Sequence, residues 1–148
     1  MSRLIEELKA DHISLKQTLK KAADYHRPAS ERIRILVRAK AALMDHLEKE
    51  NRELYPALRA AAETNVDLSQ VVNVFAKDME QLAPQALDFF DKYGDLETVA
   101  ASFLTSVQNV IEFGAELERL IILLGLRIGR EEKTLYPAYE QVHALKVM

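Results

Sequence analysis

Apolar residues recur along this chain at three- and four-residue spacing, in four long stretches separated by three short breaks. In the first stretch, from about Arg3 to Tyr25, Leu4, Leu8, Leu15 and Leu19 share one helix face, and His12 falls on that face between Leu8 and Leu15. Arg27-Pro28-Ala29-Ser30 breaks the pattern, because proline disfavours helical geometry in the residue before it, and Ser30 is the expected N-cap of the next helix. The second stretch, about Glu31 to Glu63, aligns Leu36, Leu43, Leu47, Leu54 and Leu58, with His46 and Glu50 on the same face. Pro56 lies within it and should bend it or interrupt its regular hydrogen bonds. Thr64-Asn65-Val66-Asp67 is the next turn, with Asp67 or Ser69 as cap. The third stretch, about Leu68 to Lys92, carries Val71, Phe75, Leu82, Ala86 and Phe89; Pro84 predicts a kink and Gly94 a left-handed C-cap. The fourth, about Glu97 to Val142, places Leu104, Val107, Phe113, Leu117, Leu124, Ile128 and Leu135 on a stripe that also passes through Glu131, with Arg127 near its centre. Its length predicts a bend or a short break. Four such helices joined by short loops make an all-α, antiparallel up-down-up-down four-helix bundle.

The pattern is also internally repeated. Asp45 to Pro56 and Leu126 to Pro137 align at a constant offset, sharing Glu50/Glu131, Leu54/Leu135, Tyr55/Tyr136 and Pro56/Pro137, while His46 faces Arg127. Lys9 to Leu15 likewise matches Ala76 to Leu82, pairing Asp11 with Asp78 and His12 with Met79. The chain therefore divides into two helical hairpins, about residues 1–63 and 67–148, within one domain spanning 1–148.

Composition narrows the chemistry. The 148 residues contain no cysteine, which excludes disulfides, thiolate zinc sites and iron–sulfur clusters, and leaves His, Asp and Glu to hold any metal. A net charge of -3 provides no basic field for nucleic acid. The first ten residues include Glu6, Glu7 and Lys9, unlike a signal peptide, and the longest apolar run, Leu120 to Leu126, is far short of a membrane span. A cytoplasmic protein without nucleic-acid or membrane partners is expected. The Leu120–Leu126 run is apolar right round the helix and marks either deep burial or a homodimer seam, the seam being favoured.

A histidine four residues before a glutamate puts an imidazole and a carboxylate one turn apart on one helix face, the way bundles present metal ligands inward. The order His12, then His46-x-x-x-Glu50 with Leu54-Tyr55-Pro56, then a second round of the same, resembles the hemerythrin-like family, also called the HHE cation-binding domain. The resemblance covers almost the whole chain. It implies a non-haem di-iron centre between the helices, with two histidines per iron and one bridging glutamate from each hairpin. Carried over, the first hairpin is complete with His12, His46 and Glu50, and the second keeps Glu131 alone. Met79 and Arg127 stand at its two histidine positions. A thioether is a poor ligand for hard ions, and a guanidinium has no lone pair to donate. A full di-iron centre is not expected; one iron, with manganese or zinc as alternatives, is compatible with His12, His46, Glu50 and Glu131.

Bland readings stand beside these. A histidine on an apolar stripe is often a hydrogen-bonded core residue. Arg127 either neutralises Glu50 and Glu131 in place of a second metal or snorkels to water. Met79 is core filler by this reading, His26 and His143 are helix-end residues, and Tyr55 and Tyr136 sit well off the ligand face, so redox or ligand roles are not expected of them. The function expected is a metal-binding domain retaining at most one metal and serving in sensing, storage or stress response. The alternative is a metal-free bundle acting in protein interaction or self-association. A third and less favoured reading is an enzyme using the remaining site for redox chemistry, which a single metal with open positions permits, although no substrate pocket is legible.

Overall fold

Ser2 opens the first helix: its hydroxyl accepts the Ile5 amide at 3.3 Å, and α1 then runs Arg3–Ala22. In this computed structural model the described residues are 2–94 and 107–147. They form α2 (Ala29–Lys49), a π-helical turn (Glu50–Leu54), α3 (Tyr55–Ala62), α4 (Val66–Gly94), α5 (Val107–Arg130), a second π-helical turn (Glu131–Leu135) and α6 (Tyr136–Val147). The segments α2 to α3 and α5 to α6 are each one continuous rod, so the chain is an all-α, four-rod bundle. In it α1 packs on α2, α2 on α4, α4 on α5 and α5 on α1, with α3 alongside α4 and α6. The Glu97 start expected for the last helix, the Asp95 turn and Leu104 lie outside the described residues.

Local chemistry moves several boundaries from their expected places. Helix α2 starts one residue before Ser30; Pro28 precedes it, its carbonyl accepting the Arg32 amide at 3.0 Å. Proline's fixed φ suits a helix start and leaves Ser30 inside the first turn. Asn65, rather than Asp67 or Ser69, caps α4, its Oδ1 accepting the Leu68 amide at 3.1 Å. Gly94 is still helical and no described glycine has positive φ, so the left-handed cap is not found there. Helix α4 runs through Pro84 without a break.

Pro56 and Pro137 explain the two π-helical turns. Each lacks an amide hydrogen, and its ring crowds the carbonyl four residues back. The turn before it widens: Tyr55 donates its amide to the Glu50 carbonyl, and Tyr136 to that of Glu131, both across five residues.

The buried apolar residues fall into two groups at different levels of the bundle. One includes Leu15, Leu19, Leu36, Leu43, Leu82, Phe89, Phe113 and Leu124; the other includes Leu4, Leu8, Leu54, Leu58, Phe75 and Leu135. Between the two levels every rod changes character, presenting His12, then His46 and Glu50, then Met79, then Arg127 and Glu131. All of these except Met79 are buried, which is the costly arrangement for charge and the one that needs an account.

Candidate metal centre

The ionisable layer is a network with two unlike halves. On one side the His12 and His46 rings lie with centroids 4.7 Å apart and planes tilted by 50°, both nearly inaccessible to solvent. His46 Nδ1 lies 3.0 Å from Asp11 Oδ2, which Lys49 Nζ also reaches at 3.1 Å. The ring proton held by that carboxylate leaves His46 Nε2 turned inward with no hydrogen-bond partner, its nearest acceptor being Glu50 Oε2 at 3.6 Å, beyond hydrogen-bond length. His12 Nδ1 is 2.7 Å from Glu132 Oε2, and His12 Nε2 is 3.1 Å from Glu131 Oε1. Each ring thus has a carboxylate behind it, the usual backing for metal-ligating histidines.

On the other side Arg127 fills the layer. It is buried, so snorkelling is ruled out. Its Nε donates to Glu131 Oε2 at 3.2 Å, Nη1 to the Phe75 carbonyl at 3.0 Å and to Asp78 Oδ2 at 2.9 Å, and Nη2 to Tyr55 Oη at 2.9 Å. The guanidinium also lies over the Phe75 ring at 4.8 Å. Glu131 thus divides its two oxygens, one towards the histidine pair and one towards the guanidinium. Glu50 has no direct bond to Arg127 among the described contacts; its Oε2 accepts instead from Tyr136 Oη at 3.0 Å. The expectation that Arg127 bonds both carboxylates therefore holds for Glu131 only; Asp78, Tyr55 and the Phe75 carbonyl take three of its other four donors.

Tyr55 and Tyr136 belong to the site, contrary to the sequence expectation. At about 100° per residue, a residue five positions after a glutamate sits roughly 140° round an α-helix. In a turn whose hydrogen bonds span five residues it returns towards the glutamate's face. Tyr136 Oη consequently reaches both Glu50 and His12 Nε2, the latter at 3.1 Å. The proline after each tyrosine was the legible signal. Asp11, Asp78 and Glu132 were also missed, although the pairing of Asp11 with Asp78 in the repeat marked the first two.

Electrostatics distinguish the two carboxylates. Burial pushes the Glu131 carboxyl up, but the His12 ring and the Arg127 guanidinium outweigh it and hold the group below its ordinary range. Burial also pushes Glu50 up, the Glu131 charge adds to that, and the pull of His46 does not offset them, so its pKa is raised. For His46 burial favours the neutral ring, yet Glu50, Asp11 and Glu131 together raise its pKa. Burial and the neighbouring carboxylates raise the Tyr136 phenol far enough to keep it protonated, and burial lifts that of Tyr55 to about 12.

The donor set fits a cation. His12, His46 and Glu131 each offer an atom within 4.8 Å of the others, and His46 Nε2 is buried there without a hydrogen-bond partner. Adjoining it is a cavity of about 30 Å³ lined by Leu15, Leu43, Leu82, Ala86 and Leu124 beside the ionisable groups. That is room for roughly two water molecules, not for an organic substrate. Met79 borders the cavity; His26 is exposed, and His143 stacks on Tyr139 away from the layer.

The family model for the hemerythrin HHE cation-binding domain matches residues 3–139. The chain belongs to that family. Searches among curated proteins and among solved structures find no match. As a hemerythrin-type domain the chain is a cation-binding fold with a candidate metal site, and among the described residues no helix is long and apolar enough to cross a membrane. The rings' backing carboxylates are open to test: Asp11→Asn and Glu132→Gln are each expected to lower metal affinity about 10–100-fold with the helical circular dichroism intact, as measured by chelator competition.

Proposed function

We propose that this hemerythrin-type domain holds at most one metal per chain, iron in the first place, through His12, His46 and Glu131 with Glu50 alongside, in a sensing, storage or stress-response role. The observation that carries this reading is the inward His46 Nε2, buried without a partner beside two further donors. Two imidazoles and carboxylates suit ferrous iron, manganese or zinc. A ferrous ion so held would supply one redox-active centre. The chain's own residues orient the rings through Asp11 and Glu132, keep a phenol proton at Tyr136, and exclude bulk water with the leucine wall. The small cavity supports a binding role over catalysis on an organic molecule, in keeping with a cytoplasmic sensor or store.

Anaerobic titration with ferrous, manganous and zinc ions, followed by plasma emission on the desalted protein, tests the stoichiometry. One metal per chain, abolished in His46→Ala, is the expected result; two per chain would overturn the half-site. Binding of none would favour the second reading, a metal-free interaction module, which the Arg127 network supports because it neutralises Glu131 without an ion.

Glu50 provides a further check. Its raised pKa means that, in metal-free protein, it contributes stability at acid pH that is lost as the pH rises past the ordinary carboxylate range. Glu50→Gln is therefore expected to stabilise metal-free protein at neutral pH, measured by urea unfolding, while weakening metal binding.

A further inference from the structure

The outer side of α5 is built like a second core face. Phe113, Leu117, Leu120, Leu124 and Ile128 point into the bundle. The direction opposite them should be the most polar, yet Ile111, Ala115, Ile122, Leu126 and Gly129 all fall within about 40° of it at 100° per residue, with Gln108 and Arg119 the two polar residues in that range. Ile111, Ile122 and Leu126 are 65%, 55% and 59% exposed. No other described helix sets three large apolar side chains along one outer line. The stripe is roughly 22 Å long at 1.5 Å per residue. A side chain added at Gly125 or Gly129 would meet nothing within 4 Å, so the helix backbone can be approached closely there.

We propose that this stripe is an isologous dimer interface, α5 lying antiparallel on α5 of a second copy and crossing it at Ile122. Charge placement selects that occupant and that direction. Glu112 and Arg130 lie on the same flank of α5, ten residues before Ile122 and eight after it. A two-fold axis perpendicular to an antiparallel pair brings like flanks together, so Glu112 of each copy meets Arg130 of the other at both ends of the apolar contact. Glu112 is exposed, and its one described bond is from Gln108 at 3.3 Å; Arg130 is 56% exposed and reaches Asp78, leaving donors free. A parallel pairing would not bring these two groups to one height. The dimer does not depend on the metal reading, since none of its residues is a candidate ligand.

Sedimentation velocity on the full chain at micromolar concentration should show a dimer. Ile122→Glu with Leu126→Glu should raise its dissociation constant about tenfold or more while leaving circular dichroism unchanged, as both residues are exposed. Glu112→Arg should weaken the dimer, and adding Arg130→Glu should restore it. The chain has no cysteine, so Ile122→Cys reports on self-contact directly. Under mild oxidation it should form a disulfide-linked dimer, the crossing bringing the two Cα atoms within roughly 4.4–6.8 Å, while Ala41→Cys on the exposed side of α2 should stay monomeric. A monomer throughout, a dimer that survives the double glutamate variant, or equal cross-linking from positions 122 and 41 would each overturn the proposal.

Discussion

Arg127→Met is expected to destabilise the metal-free protein by about 3–5 kcal/mol at neutral pH, the cost of leaving a buried charge without its partner. The guanidinium is 2% exposed and bonded to Glu131, Asp78, Tyr55 and the Phe75 carbonyl. Methionine supplies similar volume and none of these bonds. For a domain of this size the change corresponds to roughly 6–20 °C in melting temperature. Its pH dependence follows from Glu131. That carboxyl's folded pKa lies below its ordinary value of 4.5, so it contributes stability at neutral pH that is lost as the pH falls through the folded pKa. Without Arg127 one of the interactions that lower the Glu131 pKa is lost, so acid neutralises the group in the variant before it does so in the parent. The gap between variant and parent should therefore be full at neutral pH and narrow as the pH drops through the carboxylate range. A pH-independent remainder reflects Tyr55 and the Phe75 carbonyl left without their donor. Urea unfolding of both proteins at several pH values measures this. A variant melting within about a degree of the parent at neutral pH would show that Arg127 is not the counter-charge of the layer.

Restoring the second half-site should raise the metal content above that of the parent by up to one ion per chain. Met79→His and Arg127→His replace the two missing imidazoles, but the rings also need backing. Asp78 is already in place for position 127, since it repeats Asp11 behind His46. Position 79 lacks such a partner: Glu132, which backs His12, corresponds in the first copy to Asn51. The triple change Met79→His, Arg127→His and Asn51→Glu is therefore expected to outperform the double in holding a second ferrous ion, by plasma emission after desalting. Equal loading of the double and triple variants would show that the carboxylate behind the ring is dispensable. No gain over the parent in either variant would show that two added imidazoles do not build a second site.

The helix spacing made the bundle legible because every rod keeps its apolar stripe in phase on both sides of the ionisable layer. His12, His46, Glu50, Glu131 and the substitutes Met79 and Arg127 could be placed from the repeat alone, since all six fall on those stripes. The tyrosines could not, because a constant angle per residue carried past Glu50 and Glu131 points Tyr55 and Tyr136 the wrong way once the turn widens. The carboxylates behind the rings were hidden for another reason. Asp11 and Glu132 sit at the stripe's edge, where a charged residue is ordinarily solvated, and only the distance to a specific ring nitrogen gives them a role. Helix starts moved for local reasons, Pro28 and Asn65 each satisfying or sparing an amide that the nearby Ser and Asp residues were expected to serve.

The two π-helical turns also give the two prolines a role at a distance. Each turn falls at the same place in its copy, opening on the glutamate and closing on the tyrosine that precedes the proline. The missing amide of Pro56 or Pro137 thus sets, in each rod, which way the tyrosine faces relative to its glutamate. Residues on the outside of the bundle thereby decide which hydroxyls reach its ionisable layer.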